Sequence, residues 1–307
     1  MSSVCPNPTD TSSEIERGDF RATDGREIAL WKWPHTPGRP TLHWAHATGY
    51  NAGTYTPLLH ELSADYNVLA WDMRGHGASA PAGDLSRFRG WQTYYDDLCA
   101  LLDSTEGPLW LAGHSIGATA SIMAAARRPD KVLGLILAEP VIIDRWWGLQ
   151  LMLAKLLRQS HRVSLAAGAA RRRQCFDSRA QAIENYTGRG GFKTWPRRWL
   201  EAYVAHGFVD DVDGVRLACS PAWESSTFAH TDHNPWPGVR RLQCPVIALG
   251  ADHASTFSQA ARKRMRALLS RAEVKNIPGT SHFLPMERPD AVCDAIQRLI
   301  PPKSHRA

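Results

Sequence analysis

No stretch of the 307-residue chain is apolar for long enough to cross a bilayer. The longest run, Val132 to Ala138, has Gly134 inside it and is closed by Glu139, whereas a spanning helix needs roughly 20 residues. The first residues, MSSVCPNPTDTSSE, hold neither a basic n-region nor an apolar h-region, so no secretory signal is read. Paired cysteines are missing too. Cys5, Cys99, Cys175, Cys219, Cys244 and Cys293 lie far apart, with no CxxC pair and no metal-ligand spacing, and free thiols in a reducing cytoplasm are expected. His230 and His233 are close in sequence but lie on a Pro-rich stretch, and no metal is expected there. A large excess of one charge is also lacking. Lys plus Arg number 36 against 30 Asp plus Glu, and the basic residues fall in scattered pairs and triplets such as Arg127-Arg128 and Arg171 to Arg173. The denser group Arg262-Lys263-Arg264 with Arg266 reads as a solvated helix face. Neither nucleic acid nor membrane is therefore an expected partner. A small-molecule substrate is, and a homodimer is allowed. Apolar residues at 43% and charged residues at 21% exclude chain-wide disorder.

Residues 1–14 are polar, carry Pro6 and Pro8, and read as a disordered lead-in. Beyond them, apolar runs of strand length alternate with helical spacing. Strands are expected near 28–33, 41–45, 67–71, 109–112 and 132–138. Trp91, Tyr94, Tyr95, Leu98, Leu101 and Leu102 share one helix face, and an Ala-rich helix spans 118–126. The unbroken apolar character of 132–138 predicts a strand covered on both sides. The pattern is interrupted over 141–236 and resumes with strands near 244–250 and 273–277 and a last helix over 289–300. This order predicts an α/β fold: a doubly wound, mostly parallel sheet built from 15–140 and 237–307, with a helical insert over 141–236.

Between the strand at 109–112 and the helix at 118–126 lies Gly113-His114-Ser115-Ile116-Gly117, a G-x-S-x-G sequence in the strand–turn–helix setting that the motif requires. Such a turn lifts the serine Oγ to a helix N-terminus, where amides and the helix dipole favour negative charge. A serine hydroxyl needs a base to act as a nucleophile. His282, in Gly279-Thr280-Ser281-His282-Phe283 after the last strand, is the candidate. The base in turn needs an acid to orient it. Asp252, just after the strand ending at Gly250, is the first choice. Glu139, which closes an apolar strand and precedes Pro140, is the second. The amides of Ile116 and Thr48 are the expected oxyanion donors. His114 is expected to pack beside the nucleophile, and is counted among the candidates for contact with the substrate.

Taken together, His46-Ala47-Thr48-Gly49, Asp72-Met73-Arg74-Gly75-His76-Gly77-Ala78-Ser79, the elbow around Ser115 and Gly279 to His282 resemble the α/β-hydrolase superfamily. The first matches its HGxG loop and the second its D-x-R-G-H-G-x-S segment. The resemblance covers most of the chain outside 141–236 and identifies that insert with the family's helical cap. Ala47 stands where members often have Gly. The family's acid often falls one residue after Asp252, where this chain has His253, and some relatives take it from the position that Glu139 matches. A serine nucleophile argues against dehalogenase and epoxide-hydrolase chemistry, which the resemblance ties to aspartate. The implied activity is hydrolysis of a carboxylic ester or lactone without a cofactor. C–C bond hydrolysis of a vinylogous diketone, or a non-catalytic ligand receptor, are the alternatives. Trp146 and Trp147 are expected to line an apolar or aromatic substrate pocket.

Overall fold

Period-two alternation along the strands builds the centre of the molecule. In the computed structural model, which describes residues 15–143, 145–157, 164–231 and 234–301 but not the side chains at 145–147, 151, 154 and 155, the chain begins with β1 (Glu16–Arg21), β2 (Glu27–Lys32), β3 (Thr41–Ala45), β4 (Asn67–Trp71), β5 (Leu109–His114) and β6 (Val132–Ala138). The short β7 (Cys175–Phe176), β8 (Phe208–Asp211) and β9 (Gly214–Leu217) follow, then β10 (Val246–Ala251) and β11 (Ala272–Ile277). The main sheet has the order β1-β2-β4-β3-β5-β6-β10-β11 and is parallel from β4 onward. The β1–β2 and β2–β4 pairings are antiparallel.

The helices are α1 (Thr56–Leu62), α2 (Gln92–Ser104), α3 (Ile116–Arg127), α4 (Arg145–Leu156), α5 (Ser164–Ala170), α6 (Arg179–Tyr186), α7 (Arg197–Gly207), α8 (Pro221–Ala229), α9 (Trp236–Arg240), α10 (Gln259–Leu268), α11 (Leu284–Glu287) and α12 (Pro289–Leu299). Leu135 and Leu137 of β6 and Val246 and Ala248 of β10 point to one side of the sheet, into a core shared with Leu98, Ile122, Val239 and Met265. Ile136, Ala138, Ile247 and Leu249 point to the other, against Leu58, Leu59, Val292 and Ile296. Each fully buried leucine or isoleucine contributes about 1.5–3 kcal/mol by leaving water, so the two layers hold the sheet rigid beneath the loops at its carboxyl edge. Every β6 residue except Leu133 is buried, as a two-sided strand requires.

The segment between β6 and β10 differs in kind from the expectation. It holds helices and also the antiparallel sheet β7-β9-β8, whose strands of two to four residues are too short to leave a period-two signal. Val141 and Ile142 pack in the main core, and Ile142 bridges to Phe257. Val239 of α9 rejoins that core. The insert is tied down by Trp223 of α8. Its ring packs at a tilt 4.8 Å from Phe88 and its Nε1 donates to Tyr94 Oη at 3.1 Å. The segment 1–14 lies outside the described residues, and among those residues no helix is long and apolar enough to cross a membrane.

Candidate active site

Three loops at the carboxyl ends of β5, β6 and β11 bring the site together. Ser115 joins β5 to α3 at φ 57°, ψ −121°, a strained conformation for a residue with a Cβ. The turn closes because its neighbours are glycines. A Cβ on Gly113 would fall 2.7 Å from the Gly117 carbonyl carbon, and one on Gly117 would fall 2.6 Å from His46 O. The Ser115 amide donates to Ala138 O at 3.0 Å, which fixes the elbow to the end of β6. Ser115 Oγ lies 3.0 Å from His282 Nε2.

The other imidazole nitrogen faces Glu139. His282 Nδ1 is 3.2 Å from Glu139 Oε2 and 3.2 Å from Thr256 Oγ1. Glu139 is fully buried and adopts φ 49°, a left-handed turn that swings its side chain from the end of β6 toward the imidazole. Its carboxylate is saturated: Oε1 accepts from Ala251 N at 2.6 Å and Ser255 Oγ at 2.7 Å, and Oε2 from Thr256 N at 3.0 Å. With His282 Nδ1, four donors converge on its two oxygens.

Asp252, the first choice on sequence, is corrected by this geometry. Its backbone leaves β10 toward Thr280, and its exposed carboxylate is held by Asn276 Nδ2 and by the Gly279 amide at 2.6 Å. The Asn276 bond first, and the Gly279 bond second, keep it below the usual carboxylate range. Its two oxygens brace the loop that leads to His282.

The loop after β3 supplies the second amide. His46 Nδ1 donates to Ala47 O at 2.8 Å and its Nε2 accepts from Met73 N at 2.8 Å, which pins the loop to the Asp72–His76 turn. Ala47 N–H is engaged by Tyr55 Oη at 3.2 Å; Thr48 follows it in the loop, and Ile116 opens α3. Ala47 in place of glycine is tolerated because the left-handed residue of this loop is Gly49, at φ 80°.

His114 is a strut, which corrects its expected contact with substrate. It is fully buried. Its Nε2 donates to His282 O at 2.7 Å, so its Nδ1 accepts from Tyr55 Oη at 2.7 Å. The series Ala47 N–H, Tyr55, His114, His282 O thus links the loop after β3 to the loop after β11 through the elbow. Burial, and then the neighbouring His282, push the His114 pKa well below its ordinary value, and a neutral ring is what this bonding pattern requires.

A sequence model of the alpha/beta hydrolase family matches residues 37–295. The chain belongs to the alpha/beta hydrolase family. It is similar to 2-(acetamidomethylene)succinate hydrolase of Mesorhizobium japonicum, 25% identical over 264 residues that cover 85% of this chain and 88% of the relative. It is also similar to the monoglyceride lipase of Mus musculus, 32% identical over 136 residues. That match covers 41% of this chain and spans less than half, 44%, of the lipase. The crystal structure of E-2-(acetamidomethylene)succinate hydrolase superposes with a TM-score of 0.77 at 23% identity, over 93% of this chain and 99% of that one, a likeness of fold.

Several residues of this hydrolase's site escaped the sequence reading. Arg262, expected on a solvated face, is buried. Its Nε donates to Phe257 O at 2.6 Å, and its Nη2 to Ala251 O at 2.5 Å and Ser255 Oγ at 3.0 Å. It thereby shapes the 251–257 loop that grips Glu139. The available signal was its spacing: positions 262, 265 and 269 share one helical face with Met265 and Leu269. Arg172, in the triplet Arg171 to Arg173, is paired with Glu224 at 2.6 Å. His230 Nδ1 bonds to Ser226 O at 2.8 Å, and His233 lies outside the described residues, as do the side chains of Trp146 and Trp147.

Proposed function

We propose that this alpha/beta hydrolase cleaves a carboxylic ester, or a lactone, of an apolar or aromatic small molecule through an acyl-enzyme on Ser115. The observation that carries this reading is the continuous path Ser115 Oγ, His282, Glu139, with steps of 3.0 and 3.2 Å. In this mechanism His282 Nε2 takes the hydroxyl proton as Ser115 Oγ attacks the carbonyl carbon. Glu139 stabilises the imidazolium through Nδ1. The Ile116 and Thr48 amides receive the negative charge that develops on the carbonyl oxygen. The tetrahedral adduct collapses, and His282 gives its proton to the departing alkoxide. Water then repeats the sequence at the acyl carbon, with the same histidine as base, and frees the acid and Ser115.

Support for an aromatic or apolar substrate comes from the wall beside the histidine. Phe283 follows His282, Trp195 packs 5.9 Å from Phe283, and Tyr50, one residue past Gly49, packs 5.2 Å from Trp195. Aromatic faces of this kind bury apolar surface while orienting it. A second reading, hydrolysis of an N-acyl bond, is favoured by the relative matched over most of its length, which is named for an acetamido compound.

The test is covalent labelling with a fluorophosphonate, followed by peptide mapping. Labelling at Ser115, with loss in Ser115→Ala, is expected. A folded protein that takes no label refutes the enzyme reading and favours a ligand receptor. Parallel turnover of a phenyl ester, an N-acetyl enamine and a vinylogous diketone separates the bond types.

A further inference from the structure

One polar cluster in the insert takes no part in the chemistry described, yet it lies against the loop that supplies the Thr48 amide. Arg172 follows α5 and Glu224 sits on α8. Gly49, at φ 80°, is where they meet the core: a Cβ there would fall 2.5 Å from Glu224 Oε1 and 3.4 Å from Arg172 Nη1. Arg172 Nη1 donates to Glu224 Oε2 at 2.6 Å, and its Nη2 donates to Tyr203 Oη at 2.7 Å and Tyr186 Oη at 3.3 Å. Tyr203 in turn packs edge-on to Tyr50 at 5.6 Å. The ion pair is therefore embedded in the aromatic wall described above, one residue beyond the proposed oxyanion donor.

A guanidinium in such a wall is by itself a receptor for a substrate carboxylate, because its planar fork matches two oxygens and the low local dielectric strengthens the attraction. Here Nη1 is already taken by the Glu224 carboxylate, while Nη2 is held by the Tyr203 and Tyr186 hydroxyls. A second carboxylate would have to displace Glu224 and would face it as a like charge, left unpaired among aromatic rings. The flanking arginines offer no substitute: Arg171 is exposed, and Arg173 bonds to Cys175 O and Gln181 Oε1.

We propose that the Arg172–Glu224 pair sets the charge specificity of the site, with Glu224 reserving it for uncharged acyl groups by occupying a buried cation that would otherwise bind a carboxylate. This rests on the ester-hydrolase reading for its consequence in turnover, but not for its consequence in binding.

The experiment has both readouts. For turnover, kcat/KM is measured for p-nitrophenyl butyrate and for the p-nitrophenyl monoester of glutaric acid, which adds a terminal carboxylate. The native chain is expected to favour the butyrate at least tenfold. In Glu224→Gln the ratio is expected to shift at least tenfold toward the glutarate ester, chiefly through KM, and the double variant Arg172→Gln/Glu224→Gln is expected to lose that shift. For binding, glutarate is titrated calorimetrically into Ser115→Ala and Ser115→Ala/Glu224→Gln, with at least tenfold tighter binding expected in the second. A native chain that accepts both esters equally overturns the proposal whether or not the variants fold. So does a folded Glu224→Gln variant with an unchanged ratio and unchanged glutarate affinity. If the native chain hydrolyses neither ester, the ester reading fails, and the calorimetric comparison alone decides the role of the pair.

Discussion

Replacing Glu139 by glutamine tests the site at the point where its geometry is most demanding. All four partners of the carboxylate are arranged as donors toward it: the amides of Ala251 and Thr256, the Ser255 hydroxyl and His282 Nδ1. An amide has one oxygen to offer. If the new NH2 takes the Oε2 position, it meets the Thr256 N–H and donates to His282 Nδ1, which forces the ring proton onto Nε2, where it points at Ser115 and blocks proton removal. If it takes the Oε1 position, it meets the Ala251 N–H, and the imidazolium formed during attack loses its counter-charge. Either orientation removes the correct tautomer or its stabilisation, an effect of about 10³- to 10⁴-fold in kcat, equal to about 4–5.5 kcal/mol of barrier. Asp252→Asn leaves the ring untouched and is expected to change kcat less than threefold. Steady-state kinetics on one activated ester, with melting curves to confirm folding, make the comparison. A Glu139→Gln enzyme that keeps more than a tenth of its kcat, or an Asp252→Asn enzyme that loses as much as Glu139→Gln, refutes the argument.

Tyr55→Phe should strip the acceptor from Ala47 N–H and the donor from His114 Nδ1, at about 1–3 kcal/mol of stability. It should also lower kcat severalfold through the loosened loops, and unchanged kinetics with an unchanged melting temperature would contradict the linkage. Gly117→Ala drives a methyl into the carbonyls of Ala45 and His46, so elbow closure and labelling at Ser115 should both be lost; full labelling would show that the turn can relax. Acid should destabilise the fold through its buried histidines. Burial holds His43 down to about 3 and His76 to about 4, and neither ring nitrogen of His43 has a hydrogen-bond partner among the described residues. The unfolded chain binds protons near pH 6.5 that the folded one refuses, so stability is intact above that pH and falls as the pH drops toward 4, by about 2 kcal/mol per histidine at pH 5. Denaturant titrations at pH 7 and pH 5 measure this, and a flat profile would rule it out.

What sequence could supply was whatever is encoded locally. Strand–elbow–helix, the apolar run ending at Glu139 and the loop before His282 each carry their own pattern, and the sheet followed from them. The acid was ambiguous because both carboxylates follow strands. The choice between them is made by backbone turns at Glu139 (φ 49°) and Ala254 (φ 47°), and nothing in the composition of either loop announces left-handed residues other than glycine. Arg172 and Arg262 were obscured by their company. Among other basic residues, a cation that ends up buried is distinguished only by the carboxylate or carbonyls that fold over it, and those arrive from distant segments. His114 was legible as a packing residue beside Ser115, but its two partners, Tyr55 and the His282 carbonyl, are 59 and 168 residues away and no local pattern names them.

The division of labour between the two parts of the chain has a practical consequence. The proposed nucleophile, base, acid and oxyanion amides are all borne by loops of the main sheet, whereas Arg172, Glu224, Trp195 and Tyr203 belong to the stretch between β6 and β10. The exit from β6 is anchored past the acid, where Ile142 bridges to Phe257, and the return is anchored by Val239. A chimaera that exchanges only the chain between these two anchors would inherit this protein's reaction centre with a foreign selectivity filter, which makes the insert a cartridge for directed evolution.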